Sequence, residues 1–510
     1  MKKEMKKNLF MVAAVALMAM ISCNKEEMNN VGEPQEPQTP EVVEPSYYVE
    51  FTADLGADEE TVAPIPQSAA TKTTYDATNK KTKWVAGDLI AVNGKKFEIK
   101  EVLDGGLSAR FVNAEELGEE FNPPYTAVYP YDATAGQAVV PSTQTVSDGT
   151  FADEAVVAVG YSADDNVLSF KHVCSVIKFT VSTSGLTELE FSSEADLAGT
   201  INVNANAGAD PTYSVKSGSK TITVKPSGGT FSTTATYYVS VLPTLGADDA
   251  KQKFEIKSEG VVVKSGNVHF TRSKVMNAKA IEVKYAYLKP NLVWGISSPR
   301  YAAYFFEGEA NMWVDMTDTD ADGVYRVVIP EGYNNLIYCR MNPSNKANSW
   351  DTRWSQSPDL TIPSSDKPAY ISGIMKWDGA GAWNTLSNAK SYRENAVYLK
   401  PNSNWKSDNA RFAIYLCNGS KSATWLSMKK VDDNFYGVEL PSDFNATNYK
   451  NIIFCRMNGG NNTNDWNNKW NQSGDLACTK MTNSPYNRCC AINNGQWNCG
   501  TNVTWTTILK

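Results

Sequence analysis

The chain has 510 residues, 42% hydrophobic and 20% charged, with 48 Lys and Arg, 56 Asp and Glu, and two His. At roughly 100–200 residues per domain it holds several domains rather than one core. A net charge of −8, with no Lys/Arg cluster beyond the first 22 residues, disfavours nucleic acid and anionic lipid head groups as partners, and two His leave little for a His-ligated metal or a His-based triad.

Lys2, Lys3, Lys6 and Lys7 precede a short apolar run, Leu9 to Ile21, which reads as an export signal rather than a span. The run ends in Met20-Ile21-Ser22-Cys23, which resembles the lipobox of bacterial lipoproteins, with Met20 in place of the usual Leu. The resemblance implies cleavage of residues 1–22 and a lipid anchor on Cys23. Loss of a leader with four Lys and one Glu takes the net charge to −11. Asn24-Lys25-Glu26-Glu27 is similar to the acidic signal that sends Bacteroidales lipoproteins to the outer face of the outer membrane. Residues 23–46 hold six Glu and four Pro with few large apolar side chains. Such a composition cannot repay the entropy of ordering, so an extended tether is expected.

From 47 to 284 the pattern is β. Leu89–Val92, Asn93-Gly94 and Lys95–Ile99 form a strong hairpin signal, because both turn positions tolerate positive φ. Val167–Val181 and Tyr237–Leu242 read as strands, and a short helical period covers only Ala114–Phe121. Two β-sandwiches fit, 47–165 and 166–284. His172 and His269, each beside Phe or Val in strand-like runs, read as packed residues.

This half also carries Thr71-Lys72-Thr73, Trp84-x-x-Gly87-Asp88-x-Ile90, Tyr125-x-x-x-Tyr129-Pro130-Tyr131, Pro141-x-x-Gln144 and Leu168-x-Phe170-x-His172-x-x-Cys174-x-x-Ile177-x-Phe179. In order and spacing these motifs resemble those of the fimbrillin family of Bacteroidales surface lipoproteins. The resemblance implies tandem transthyretin-like sandwiches and a role as pilus subunit or adhesin, with subunits joined by an added strand. Members that polymerise are cut after an Arg in the first domain. Here none occurs between Cys23 and Arg110, which argues for an accessory or tip subunit, or for a lipoprotein that stays single.

The remainder is a duplication, 285–390 and 394–510, and holds twelve of the thirteen Trp. Tyr287-Leu-Lys-Pro-Asn291 recurs as Tyr398-Leu-Lys-Pro-Asn402, and Ile337-Tyr-Cys-Arg-Met-Asn342 as Ile453-Phe-Cys-Arg-Met-Asn458. Trp350-x-x-x-Trp354-x-Gln356 recurs as Trp466-x-x-x-Trp470-x-Gln472. Each copy reads as a further β-sandwich, making the whole chain all-β. Trp350, Trp354, Trp466 and Trp470 sit among Asn, Asp, Lys and Gln, too Asn-rich for a stable helix, so they are placed on a loop. A loop Trp in polar company is either a lid over the core or a ligand platform. Carbohydrate suits the platform, since a pyranose C–H face covers an indole while Asn, Gln, Lys and Arg meet its hydroxyls.

The repeat also resembles starch-binding carbohydrate-binding modules of family twenty-six, through Asn402-x-x-Trp405, Tyr415, Trp425, Met428, Tyr436, Ile452-Ile453-Phe454 and Gln472-x-x-Asp475-Leu476. A parallel set lies in the first copy. This implies α-glucan binding by Tyr304 and Trp313 and by Tyr415 and Trp425, with Gln356 and Gln472 donating hydrogen bonds. Asp318-x-Asp320-x-Asp322-Gly323 starts like a calcium loop, but Ile329 holds the twelfth position, which favours a hairpin turn. Cys339 and Cys455 suit buried thiols. The cluster Cys417, Cys478, Cys489, Cys490 and Cys499 matches no zinc spacing, and an exported compartment would favour disulfides there.

No Gly-x-Ser-x-Gly elbow, His-Glu-x-x-His or phosphate loop occurs. The sequence therefore points away from an enzyme and needs no cofactor or metal. The partners expected are a polysaccharide or surface glycan, the outer membrane through the lipid anchor, and fimbrial subunits. Two readings follow. One is a glycan-binding adhesin on a fimbrillin-like stem. The other is a fimbrial accessory or tip subunit whose repeats contact protein.

Overall fold

The computed structural model describes residues 49–55, 74–76, 81–117, 120–152, 155–205, 209–246, 250–482 and 488–506. The leader, Cys23, the acidic tether and Thr71-Lys72-Thr73 lie outside these. Strands dominate: helix among the described residues is confined to Leu386–Ser391, Ser403–Lys406, Thr479–Thr482 and two single 3₁₀ turns. None is long and apolar enough to cross a membrane.

The Asn-Gly hairpin forms as expected. Leu89–Val92 pairs with Lys95–Leu103, Val92 opposite Lys95, with φ of 46° at Asn93 and 81° at Gly94. Its sheet continues until it closes into a seven-stranded barrel, in which Val167–His172 runs parallel to Glu50–Leu55 and antiparallel to Ala158–Ser162. Buried Trp84 fills the barrel, meeting Phe111, Tyr129 and Phe170 edge-on at 5.0–5.3 Å. Asp88 ties the turn below it, accepting from the Val85 amide at 2.8 Å and the Tyr129 hydroxyl at 3.1 Å. Ala114–Phe121 is not helical in its described residues: Leu117 is buried from coil, and Phe121 stacks on Tyr125. Its apolar spacing serves the barrel core.

Gln137–Val140 and Thr143–Val146 leave the barrel to pair with Ala198–Asn204 and Thr221–Pro226 of the next set of sheets. Buried Gln144 holds that crossing, its Nε2 donating to Ser240 O at 2.7 Å and its Oε1 accepting from Ser240 N at 3.0 Å. The chain then returns for Ala158–His172 before entering the second core at Ser175–Val181. The cut expected at 165/166 therefore falls inside the barrel, because composition follows the chain while pairing follows space. His172 is buried, with Nε2 3.1 Å from Thr82 Oγ1, a packing role, whereas His269 is half-buried with Nδ1 2.9 Å from Ala250 O.

Each C-terminal copy packs two sheets face to face. In the first, Tyr325–Val328, Tyr285–Lys289, Pro368–Ser372 and Gly381–Thr385 face Ala310–Asp315, Arg300–Glu307, Asn335–Met341 and Arg353–Gln356. In the second, the Tyr436–Glu439, Ala396–Lys400 and Cys489–Ile492 sheet faces the Thr424–Ser427, Arg411–Cys417, Asn451–Met457 and Lys469–Gln472 sheet. Trp294 and Trp405 are fully buried at the centres. The Asn-x-x-Trp motif sets them. Asn402 Oδ1 accepts from Trp405 N at 2.9 Å while its Nδ2 donates to Asn493 O and Gln496 O, and Asn291 repeats the pattern on Trp294, Gly373 and Lys376.

Candidate functional site

Strand alternation divides Arg300–Glu307 cleanly. Tyr301, Ala303 and Phe305 enter the core, while Ala302, Tyr304 and Phe306 face outward. On that outer face Tyr304 lies opposite Trp313 on one side and Ile337 on the other, and Cys339 lies between Ala302 and Gln356. Trp350 completes a triangle: ring centroids are 5.0 Å apart for Tyr304–Trp313, 4.6 Å for Tyr304–Trp350 and 4.9 Å for Trp313–Trp350. The second copy builds the same triangle from Tyr415, Trp425 and Trp466, at 4.8, 4.9 and 4.9 Å. Trp350 and Trp466 are 41% and 45% exposed, so each covers its aromatic neighbours and also offers a surface.

One cation and one amide accompany each triangle. Arg353 lies 5.1 Å from the Trp350 ring and Lys469 lies 5.3 Å from the Trp466 ring, within cation–π range. Arg353 donates to Gln356 Oε1, and Lys469 to Gln472 Oε1. That fixes both amides, leaving the NH2 of Gln356 without an acceptor among the described residues. The arrangement offers aromatic carbon, amide donors and a fixed positive charge, groups chemically suited to hold a ligand.

The Asn-rich loops that deliver Trp350 and Trp466 are wound around an arginine. Arg300 donates to Asn342 O (3.3 Å), Asn345 O (2.8 Å), Ala347 O (2.5 Å), Asp315 (3.0 Å) and Asn348 Oδ1. Arg411 does the same for Asn458 O (3.2 Å), Asn461 O, Thr463 O and Asn464 Oδ1. The planar guanidinium satisfies several loop carbonyls at once. The Asn side chains so held are scaffold.

The double-Trp motif splits: Trp466 lies on a loop as expected, while the loop placement is corrected for the others. Trp350 opens the 3₁₀ turn Trp350–Thr352, where Ser349 and Thr352 form a capping box, whereas Trp354 and Trp470 lie on the strands Arg353–Gln356 and Lys469–Gln472. Each is the extra residue of a β-bulge: Arg340 pairs with Ser355 and Met341 with Arg353, just as Arg456 pairs with Asn471 and Met457 with Lys469. A bulge turns a side chain off its regular alternation, and here the Trp leaves the platform to cover a buried arginine. Arg340 lies 4.6 Å from the Trp354 ring and 5.2 Å from Trp377. Arg456 lies 4.6 Å from Trp470 and 5.2 Å from Trp497. Both arginines are fixed from below, Arg340 Nε by Trp294 O at 2.7 Å and Arg456 Nε by Trp405 O at 3.0 Å. Trp377 and Trp497 escaped the sequence reading, although each follows its strand at matching repeat positions. In the first copy Trp377 Nε1 donates to Val431 O of the second at 2.9 Å, while Trp497 is 45% exposed.

Cys339 and Cys455 lie beneath the platforms, where burial pushes both thiols up to about 12. The disulfides expected in the last repeat are not formed: Cys417, Cys478, Cys489, Cys490 and Cys499 are free and buried. Their side chains fill the core as small hydrophobes. The Asp318 motif is a turn. Its carboxylate accepts from the amides of Asp322 (3.1 Å) and Gly323 (2.9 Å), and Lys390 neutralises Asp320 and Asp322.

No protein-family model matches the chain, and no curated protein matches it. Solved structures do. A protein provisionally assigned to cell adhesion in Bacteroides uniformis shares 16% identity at a TM-score of 0.27, over 46% of this chain and 92% of its own. A second such assignment, from Bacteroides ovatus, gives 14% and 0.25, over 56% and 100%. A fimbrial assembly protein from Parabacteroides distasonis gives 10% and 0.24, again over 56% and 100%. At TM-scores this low the likeness decides nothing about function.

Proposed function

We propose that this chain is a non-catalytic surface adhesin, which binds glycan through the twin platforms Tyr304/Trp313/Trp350/Gln356 and Tyr415/Trp425/Trp466/Gln472. The observation carrying this is that one outward aromatic triangle, with an amide and a cation in register, is built twice on the same strand face. An outer sheet face needing only solubility would not repeat two exposed Trp. The tilts of 57° between Tyr304 and Trp313 and 47° between Tyr415 and Trp425 make each platform angular rather than flat, a shape for a curved chain such as an α-glucan. Two weak sites on one chain gain avidity for a polymer. The barrel and the second set of sheets serve as stem, and Cys23 as the outer-membrane lipid anchor.

A structural fimbrial subunit is the second reading. Among the described residues the closed barrel has no vacant strand position, and Arg110, ion-paired to Glu50 (2.5 Å) and Glu101 (3.0 Å), lies mid-strand where a protease cannot reach the backbone without unpairing it. Both observations weigh against strand exchange at the barrel. Native electrophoresis of the intact chain through gels cast with amylopectin, glycogen, dextran or mannan separates the readings. Retardation by one polymer, abolished in a Trp350→Ala/Trp466→Ala variant of unchanged melting temperature, supports the adhesin. Free migration in every polymer sinks it and leaves the fimbrial subunit first.

A further inference from the structure

A cavity of about 260 Å³ opens where the first repeat meets the residues joining it to the second. Tyr301, Tyr325 and Tyr392 contribute aromatic walls, and Lys289 and Arg393 contribute two cations. Glu394 is the one acid in the lining, and it is occupied elsewhere: its carboxylate accepts from Leu292 N at 2.7 Å and from the Tyr398 hydroxyl. Lys289 donates to Asp322 O at 2.9 Å, and Arg393 to the carbonyls of Lys390 (3.1 Å) and Tyr392 (2.9 Å). Neither cation forms an ion pair among the described residues. The lining thus sets two cations and three tyrosines against one engaged acid. Burial, and then the nearby Arg393, hold the Lys289 ammonium below its ordinary pKa, with Asp322 and Asp318 offsetting only part of the shift, and an entering anion would relieve the remainder.

We infer that this cavity binds a single acidic sugar residue, its carboxylate between Lys289 and Arg393 and its ring against the tyrosines. Pockets for drug-sized ligands run about 300–1,000 Å³, so this one suits a single ring. Charge-assisted bonds from an ammonium and a guanidinium select a carboxylate over a hydroxyl. The site is distinct from the platforms, since Tyr301 faces the opposite side of its strand from Tyr304. It also depends on the junction: in the second copy Lys400, the counterpart of Lys289, lies 5.8 Å from the Phe435 ring instead.

Isothermal titration and saturation-transfer NMR on the intact chain test this with glucuronate, galacturonate, glucose, acetate and benzoate as probes. A uronate should bind saturably, with glucose, acetate and benzoate each at least about tenfold weaker. Lys289→Met and Arg393→Gln should each weaken uronate about tenfold, while Trp350→Ala/Trp466→Ala leaves it unchanged. Arg393 is exposed, so its variant carries the test even where Lys289→Met fails to fold. Glucose, acetate or benzoate matching the uronates overturns the proposal, as does wild-type affinity in Arg393→Gln or the absence of saturable uronate binding.

Discussion

Replacing Arg411 by Lys keeps the charge and removes the fork. The guanidinium reaches Asn458 O, Asn461 O, Thr463 O and Asn464 Oδ1 together. An ammonium on a flexible stem reaches one or two of these. Two or three bonds to a charged donor are therefore lost, worth about 1.5–3 kcal/mol each when buried. Arg411 is half-buried and the freed carbonyls regain water, so about 2 kcal/mol is expected for local opening of the loop. That raises the open population roughly thirtyfold. Hydrogen exchange read by mass spectrometry should show loop 458–468 exchanging at least about tenfold faster, with the adjoining strand Asn451–Met457 unchanged. Trp466 emission should shift to the red as the ring leaves Tyr415 and Trp425. Unchanged exchange and emission would refute the idea that the arginine holds the platform, and so would a loss of stability spread evenly over the chain.

Trp354→Ala should leave polymer retardation intact while costing about 1–2 kcal/mol in urea unfolding, since that ring covers Arg340 instead of the platform. Trp405→Ala should cost about 3–5 kcal/mol by the same measurement, because a fully buried indole and its bond to Trp497 O at 2.8 Å are both lost. Thiols offer a pH test. Cys339, Cys455, Cys478 and Cys489 have an ordinary value of 9.0, which burial raises to about 12 in the folded chain. Their contribution is fully present below pH 9.0 and is lost as pH rises towards about 12, because the unfolded thiols ionise first. Melting temperature should therefore decline above pH 9.0, less steeply in Cys339→Ala/Cys455→Ala. An identical slope in that variant would contradict burial as the cause.

Much of this was legible locally. Asn93-Gly94 admits one turn type, period-2 alternation sends Tyr301 and Phe305 to one face and Tyr304 to the other, and self-comparison finds the duplication whatever the fold. The sequence by itself thus determined an all-β chain with two copies of one Trp-bearing sandwich, because turn sterics and side-chain period act over a few residues. It could not tell which of two faces a second sheet would cover, so lid and platform stayed alternatives. Nor could it show that Trp350 joins Tyr304 while Trp354 joins Arg340, since a bulge changes alternation without altering composition. The Asn residues around Trp466 suggested ligand contacts, but Arg411 claims several of them from 47 or more residues away in the chain. The free thiols, the barrel closed by Val167–His172 and the cavity at Lys289 are also products of contacts distant in sequence. Tertiary structure decided these, because packing and charge burial depend on which elements become neighbours, and one sandwich pattern admits many neighbours.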